Sequence, residues 1–248
     1  MYLDRDDVKG LWRNTRNSMY HAFEHFYELA TNGGDKEHHH KWIVLSVHHA
    51  AECFLKILLK ELDPTDSYFK DSKGRVRFPN LTDILLALRK LEHAGRLSRA
   101  EQKLLDLLDE LNRTRNEIIH RDFPNDLDAS VAAYSMLAIL RAASRRWGIS
   151  LEALYSQDPP IEISVVESIH WQRSDDYKAF VEESLKDEHP VFSSVPYCGT
   201  NAITASRCEA CFREMELKKC PSCGHQFYIP SDRRLLAEEE YKCPCGAL

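Results

Sequence analysis

Apolar side chains recur at intervals of three and four residues through the first 150 positions, which is the spacing of one face of an α-helix. The pattern is interrupted at Asn32-Gly33-Gly34, at Asp63-Pro64, in a polar loop up to residue 80, and at Gly148. Ser98 and Glu101 have the spacing of a capping box, which fixes the start of one helix. The pattern predicts helices over residues 4–30, 35–62, 82–93, 98–121 and 126–147. Amphipathic helices joined by short loops predict a mainly α protein with a helical bundle.

The helical pattern is lost beyond residue 150. Residues 191–248 consist of short segments punctuated by cysteine, proline and glycine. We therefore predict a helical bundle over residues 1–150, a connecting segment over 151–190, and a small cysteine-rich module over 191–248.

Composition limits the class of protein. The chain has 248 residues, 43% hydrophobic and 29% charged, enough for one core and a small appended module. No apolar run approaches the roughly 20 residues that a membrane helix needs. The first ten residues, MYLDRDDVKG, lack the apolar core of a signal peptide. We expect a soluble, cytoplasmic protein that does not associate with a membrane.

The net charge of −6 belongs to the second part of the chain. Residues 1–150 hold 23 basic and 22 acidic side chains, whereas residues 151–248 hold 10 basic and 17 acidic ones. This distribution argues against a broad electrostatic coat on DNA. It remains compatible with nucleic-acid binding by the bundle.

The predicted helix over 98–121 carries an arginine on its apolar face. Four leucines form that face: Leu104, Leu107, Leu108 and Leu111. Four residues further, the face reaches Arg115, and an arginine there is costly unless it is paired or opens onto an interface. Because Phe123-Pro124 forbids helix, His120 lies in the last turn or just beyond it.

Two interpretations of Arg115 and His120 stay open from spacing alone. In a straight helix they lie about 140° apart, so they serve one site only if the helix ends there or a second chain contributes. The structural alternative is that both simply interact with the negative end of the helix dipole and with free carbonyl groups.

The segment from Arg115 to His120, Arg-Asn-Glu-Ile-Ile-His, resembles the motif of the HEPN family. These small helical bundles are marked by an arginine, a polar residue, a few others and then a histidine. The segment from His48 to Lys56 resembles the earlier family helix that carries a supporting polar residue. By this resemblance, which covers roughly residues 10–148, Glu52 or His49 supports the Arg–His pair.

Many HEPN proteins are metal-independent endoribonucleases that act as homodimers, so the resemblance implies an RNA substrate and a composite cleft on the two-fold axis. It implies that His120 is the acid–base catalyst, that Arg115 holds the phosphate, and that Asn116 assists either group. It also implies a toxin or antiviral defence effector. Basic residues that suit an RNA track are Arg113, Arg121, Arg141 and Arg145. Because other members only bind, a non-catalytic module that docks RNA or protein is the alternative.

Seven of the eight cysteines lie between residues 198 and 245. Such clustering, in a chain without a secretory signal, indicates metal ligation rather than disulfides. The close pairs are Cys208 with Cys211, Cys220 with Cys223, and Cys243 with Cys245. Two such pairs complete a tetrahedral zinc site, and either the first two or the last two have workable spacing.

The last two pairs, in Cys-Pro-Ser-Cys-Gly and Cys-Pro-Cys-Gly, resemble a zinc ribbon, which favours that ligand set. The whole tail resembles a double zinc ribbon whose first half retains Cys198, Cys208 and Cys211, with His189 as a candidate fourth ligand. We expect one or two structural zinc ions per chain. The acidic tail is also expected either to contact a regulatory or neutralising protein or to shape the RNA cleft.

Five further histidines fall in two groups. Adjacent residues of a helix point about 100° apart, so His38, His39 and His40 cannot all face one metal ion, and we interpret them as surface residues without a role. His21 and His25 lie one helical turn apart and have the spacing of a metal-binding pair. The sequence offers no third ligand for them at a convincing spacing.

Overall fold

The protein divides into two compact units, Met1–Ser168 and Ile169–Leu248, which are described separately. The computed structural model describes residues 2–31, 35–63, 65, 67–70, 73–120, 130–148, 179, 181–183, 185, 191–192, 202–204, 206–209, 214–231, 243 and 245. Most of the predicted connecting segment over 151–190 lies outside these residues.

The first unit is helical, which confirms the prediction of a mainly α protein. Its helices are α1 (Asp6–Thr31), α2 (Lys36–Leu62), α3 (Leu81–His93), α4 (Arg99–His120) and α5 (Ser130–Trp147). Short 3-10 turns at Tyr2–Asp4 and Ser67–Phe69 precede α1 and α3. The helix ends fall within two residues of the predicted positions, except at the start of α5, where residues 126–129 are not described.

The core of the bundle is organised around α2. This helix packs against each of the other four helices, and its side chains are buried on several faces, among them Val47, Phe54 and Leu58. It is the one described helix long and apolar enough to cross a membrane, but 78% of that apolar window is buried inside the protein. A helix that is apolar nearly all round and covered by its neighbours is typical of the core of a soluble bundle.

Side chains at the helix starts satisfy backbone N–H groups that have no partner within the helix. Ser98 N donates to Glu101 Oε2 at 2.8 Å, and Glu101 N donates to Ser98 Oγ at 3.3 Å. These two bonds confirm the capping box before α4. At the start of α2, the carboxylate of Asp35 accepts a hydrogen bond from His38 N at 3.2 Å, which fixes where that helix begins.

A partly buried ion-pair network joins the end of α2, the start of α4 and the end of α5. Arg146 lies between two carboxylates, with Nε 2.7 Å from Glu61 Oε2 and Nη1 2.5 Å from Glu101 Oε1. Trp147 Nε1 donates to the same Glu61 oxygen at 2.8 Å. Separating these helices would leave partly buried charges without a partner, which is costly. The network therefore fixes how the three helices pack together.

The second unit is built from short antiparallel strands in its described part. They are β1 (Val191–Phe192), β2 (Ala202–Thr204), β3 (Arg207–Cys208), β4 (Met215–Lys219) and β5 (Gln226–Pro230). The first three form one sheet in chain order, and β4 with β5 forms a hairpin. Because Lys219 pairs with Gln226, residues 220–225 form the hairpin turn. Phe227 and Ile229 alternate along β5 and are buried.

Candidate active-site residues and candidate metal centre

Arg115 interrupts the buried apolar face of α4. Leu111 on the turn before it and Ile118 on the turn after it are buried, whereas Arg115 is half-buried. Its Nη1 donates a hydrogen bond to Oδ1 of Asn116 at 2.9 Å. No carboxylate among the described residues pairs with Arg115. A half-buried guanidinium in this state is suited to hold an anionic group.

His48 of α2 faces the same part of α4. Its Nε2 lies 3.1 Å from Oδ1 of Asn112, which is one turn before Arg115. Nδ2 of Asn112 donates onward to Oγ1 of Thr82 at 3.1 Å. Because an amide oxygen only accepts, Nε2 of His48 carries the proton. This chain of hydrogen bonds joins α2, α4 and α3 beside the Arg–His motif.

The surroundings of His48 disfavour its charged form. Burial lowers the pKa of His48, and the positive charge of Arg115 acts in the same direction. The hydrogen bond to Asn112 and the charge of Glu52 oppose this shift without reversing it. His48 is therefore a neutral ring at neutral pH, held near a permanent cation.

The two residues predicted to support the motif occupy different faces of α2. Glu52 acts electrostatically on His48 and forms an ion pair with Lys56, whose Nζ lies 2.5 Å from Glu52 Oε1. His49 instead has its Nδ1 2.7 Å from Oγ of Ser18 on α1. The ring of His49 is thus held against α1, and the structure does not bring it to the motif of α4.

The sequence analysis did not identify His48 as a neighbour of the Arg–His motif, although its spacing from Glu52 could have indicated this. His48 precedes Glu52 by four residues and therefore shares its helix face, whereas the ring of His49 starts about 100° away. Packing decides which of the two faces meets α4, and the local sequence does not.

His120 is the last residue of α4 and is exposed. Since α4 is continuous from Arg99 to His120, Arg115 and His120 leave the helix about 140° apart. Within the described part of one chain they therefore do not converge on one point. The prediction that His120 lies at the end of the helix is confirmed, and the shared site with a second chain stays a prediction.

The predicted RNA track is only partly at the surface. Arg113 and Arg145 are exposed, as contact with a nucleic acid requires. Arg141 is not available for this role, because it is 3% exposed and lies on the core side of α5. A charged residue on the core-facing side of α5 is buried together with its apolar neighbours. Arg121 lies outside the described residues.

Four cysteines of the second unit form a compact ligand cluster. The sulfur atoms of Cys220, Cys223, Cys243 and Cys245 all lie within 4.8 Å of one another. Sγ of Cys220 is 3.6 Å from Sγ of Cys245, and Sγ of Cys223 is 3.6 Å from Sγ of Cys243. Four sulfurs about 2.3 Å from a central ion in a tetrahedron are roughly 3.8 Å apart, so the cluster has the size of a structural metal site.

The β4–β5 hairpin builds one half of this cluster. Cys220 N donates to His225 O at 2.8 Å, and Gly224 N donates to Cys220 O at 2.9 Å, which folds the turn into a tight knuckle. Gly224 has φ +73°, a conformation that side chains rarely adopt. Phe227 and Ile229 pack with Cys220 and Cys243 and so shield the cluster on one side.

The surroundings lower the pKa of one thiol in the cluster and raise the pKa of another. The backbone amide of Cys223, with that of Ser222, lowers the pKa of Cys220 to about 6. For Cys243, the backbone amide of Cys245 lowers the pKa, but burial and the neighbouring thiols outweigh it and raise the pKa to about 12. Metal binding uses the thiolate form, which a cation among the four sulfur atoms would stabilise, so the arrangement fits a metal ion.

The structure distinguishes the two predicted ligand sets. The cluster contains the last two cysteine pairs, as the preferred prediction has it. Cys243 and Cys245 are separated by one residue, against two between Cys220 and Cys223, and this shorter spacing still brings the four sulfur atoms together. Cys208 is buried on β3 and does not belong to the cluster. Cys198, Cys211 and His189 lie outside the described residues, so a second metal site stays a prediction.

Comparisons of this chain with protein-family models, with curated proteins and with solved structures find no match. The function is therefore argued from the residues and their geometry.

Proposed function

We propose that the protein is a metal-independent endoribonuclease of the HEPN type that acts as a homodimer, with a structural zinc ion in its tail. The observation that carries the proposal is Arg115. It is half-buried within an otherwise apolar helix face, is paired with Asn116, and has no carboxylate partner among the described residues. A phosphate is an anion that such a forked cation can hold through two parallel hydrogen bonds.

The proposed chemistry is transesterification at one phosphodiester. His120 removes the proton of the ribose 2′-hydroxyl, the 2′-oxygen bonds to phosphorus, and the bond to the 5′-oxygen breaks. The leaving 5′-oxygen takes up a proton from the second His120 of the dimer. Arg115 stabilises the charge that develops on the phosphate oxygens, and Asn116 orients the guanidinium. The products are a 2′,3′-cyclic phosphate and a 5′-hydroxyl.

The helix geometry supports a site shared between two chains. Arg115 and His120 of one chain point about 140° apart, so each half-site is incomplete by itself. A two-fold axis beside the end of α4 would bring Arg115 of one protomer to His120 of the other. Such an interface buries on the order of 1,600 Å².

Zinc is the metal that the cysteine cluster suits. Zinc prefers four thiolates in a tetrahedron, and a site with four protein ligands has no open position for chemistry. Its role in this proposal is to fold the tail, which offers a surface to RNA or to a regulatory or neutralising protein. The ribonuclease reaction takes no step through this ion.

The decisive experiment is RNA cleavage in excess EDTA, with tRNA among the substrates. Wild-type protein should cut RNA, leave 2′,3′-cyclic phosphate ends, and spare a substrate that lacks the 2′-hydroxyl at the cut site. His120→Ala should abolish cutting. His93→Ala is the matched control, because His93 is also an exposed histidine in the last turn of a helix.

Two results would overturn the catalytic proposal. One is a pure wild-type protein that leaves a broad panel of RNAs uncut. The other is cleavage that survives His120→Ala, which would place the catalyst elsewhere in the chain. Sedimentation of a monomer at tens of micromolar would exclude the shared site.

A binding module without catalysis is the second candidate function. The separation of Arg115 from His120 on a continuous α4 favours it, because a single chain holds an anion-binding arginine with no adjacent acid–base group on the same helix face. In that case RNA or an acidic protein segment would bind at Arg115 without being cut. Binding that depends on Arg115 but not on His120, in a monomeric protein, would distinguish this function.

A further inference from the structure

The segment between α2 and α3 contains a loop that is both basic and exposed. Residues 70–78, here termed the basic loop, read Lys-Asp-Ser-Lys-Gly-Arg-Val-Arg-Phe. They hold four basic side chains and one acidic one, in a chain whose net charge is −6. Every residue from 73 to 78 is exposed. The proposed ribonuclease reaction gives this loop no role.

Arg77 fixes the basic loop to the bundle. Its backbone N donates to the carbonyl oxygen of Phe69 at 2.8 Å, and the Phe69 side chain is buried. Its guanidinium donates through Nε to the carbonyl oxygen of Tyr68 and through Nη2 to Oδ2 of Asp83 on α3, both at 3.2 Å. Because three bonds hold this one residue, the side chains next to it have defined positions.

Two apolar side chains of the basic loop face the solvent. Val76 is 73% exposed and Phe78 is 85% exposed, although Arg77 between them turns inward to its partners. Side chains alternate between the two sides of an extended strand, and Val76 pairs with Lys70 in an antiparallel bridge. Val76 and Phe78 therefore share the outer side of the loop. An isolated apolar residue on a surface is common, whereas this pair lies among exposed cations.

Exposed cations beside an exposed ring match the chemistry of a single-stranded nucleic acid. Lys73 and Arg75 are the exposed cations that come just before Phe78. Proteins that bind single strands combine cations that follow the phosphates with aromatic rings on which the bases stack. An acidic protein segment would satisfy the cations but would offer no planar group to the phenyl ring. The loop therefore fits a single strand better than it fits an acidic peptide.

The basic loop leads to the part of the bundle that carries Arg115. Thr82 of α3 follows Phe78 by four residues, which is at most about 13 Å of extended chain. Oγ1 of Thr82 accepts a hydrogen bond from Nδ2 of Asn112 at 3.1 Å. Asn112 precedes Arg115 by one turn of α4, a rise of about 4.5 Å. One short single strand is thus long enough to contact both Arg115 and the loop.

We propose that the basic loop, through Lys73, Arg75 and Phe78, binds a single-stranded part of the RNA substrate outside the cleavage site. The choice of RNA as the ligand rests on the proposed function. Phe78 stacks on one base, and the two cations contact phosphates, so the contact tolerates different base sequences. None of these three residues takes part in the reaction.

The test measures RNA binding separately from cutting. Full-length His120→Ala protein is titrated into a fluorescently labelled single-stranded RNA of about 12 nucleotides, and anisotropy is followed at several KCl concentrations. Adding Phe78→Ala should weaken binding at least about fivefold without changing its salt dependence. Adding Lys73→Ala and Arg75→Ala should weaken binding and also reduce the slope of the logarithm of the association constant against that of the salt concentration, by about 0.7 for each lost phosphate contact.

Matched variants control for the loss of any exposed ring or any exposed cation. Tyr27→Ala removes an exposed aromatic side chain near the end of α1, and Arg96→Ala removes an exposed cation beyond the end of α3. Both should bind RNA as the parent protein does. Phe78→Trp keeps a stacking surface and should retain binding. An oligonucleotide of the same length without bases should bind equally to the Phe78→Ala variant and to its parent, because it offers no stacking partner.

Three results would overturn the role of the basic loop. They are unchanged RNA binding by the Phe78→Ala variant, an equal loss with the oligonucleotide that lacks bases, and displacement of the RNA by an equal concentration of polyglutamate. Cutting by wild-type protein is assayed in parallel. Cutting together with unchanged binding by the Phe78→Ala variant would refute the loop alone. Binding that depends on Phe78, with no cutting by wild type, would support the loop and refute the ribonuclease.

Discussion

Nε2 of His48 lies 3.1 Å from Oδ1 of Asn112, and this hydrogen bond joins the central helix α2 to α4 one turn before Arg115. Asn112 also donates to Thr82, so a single amide connects three helices beside the proposed phosphate-binding arginine. A neutral histidine there holds α4 in place without adding a second positive charge next to Arg115. The side-chain amide of Asn112 therefore both stabilises the bundle and holds the part of α4 that carries Arg115.

The first prediction concerns pH. Because the folded-state pKa of His48 lies below its ordinary value of 6.5, the unfolded chain takes up this proton more readily than the folded one. The free energy of unfolding should therefore fall as the pH falls below about 6.5, and His25 should contribute with the same sign. Urea denaturation between pH 7.5 and 5.5 measures the loss. His48→Gln retains a donor but cannot titrate, so its loss should be smaller; an unchanged pH dependence would exclude His48 as a source.

The second prediction separates two asparagines of α4. Asn112→Ala removes two interhelical hydrogen bonds and leaves Nε2 of the part-buried His48 without its partner, so it should lower the free energy of unfolding by about 1–3 kcal/mol. Asn116→Ala removes only an exposed contact with Arg115, so its effect on stability should be within about 0.5 kcal/mol. RNA cleavage should respond more strongly to the Asn116 variant, measured at a temperature where both are folded. Equal destabilisation by both changes would contradict this division.

The third prediction concerns the shape of the cation at position 115. Arg115→Ala should reduce RNA cleavage by about 2–4 kcal/mol of transition-state stabilisation. Arg115→Lys should reduce RNA cleavage nearly as much, because an ammonium group cannot make a forked contact with a phosphate. Arg96→Lys, at an exposed position away from the motif, is the matched control and should cut normally. Full activity in Arg115→Lys would mean that the residue acts only through its charge.

The fourth prediction concerns the metal of the tail. Purified protein should carry one zinc ion in the cysteine cluster, and Cys220→Ser or Cys243→Ser should remove it and unfold the β4–β5 hairpin. The helical signal in far-UV circular dichroism should persist, since the cluster belongs to the second unit. Cys53→Ser is the control, because Cys53 is buried in α2, where burial raises the pKa of its thiol to about 11. Zinc content that Cys220→Ser leaves unchanged would refute the ligand assignment.

Several features followed from local sequence because their causes are local. The apolar spacing of three and four residues gave the five helices, and Ser98 with Glu101 marked the start of α4. The knuckle from Cys220 to Gly224 depends on nearby backbone hydrogen bonds and on one glycine with positive φ, both of which a short stretch of sequence specifies. The paired spacing of the cysteines left two ligand sets open, and the resemblance of the last two pairs to a zinc ribbon favoured the set whose four sulfur atoms the structure brings together.

Other features depended on which helix faces meet. The sequence by itself determined that His48 and His49 lie on neighbouring faces of α2 and that Arg141 lies on α5, but only packing decided that His48 meets Asn112 and that Arg141 is buried. Likewise, the spacing of His21 and His25 was visible in the sequence, whereas the contact of His25 with His39 required the pairing of α1 with α2. The physical reason is that helix periodicity is set by backbone hydrogen bonds four residues apart, while the choice of contacting faces is set by the summed burial of side chains distant in sequence.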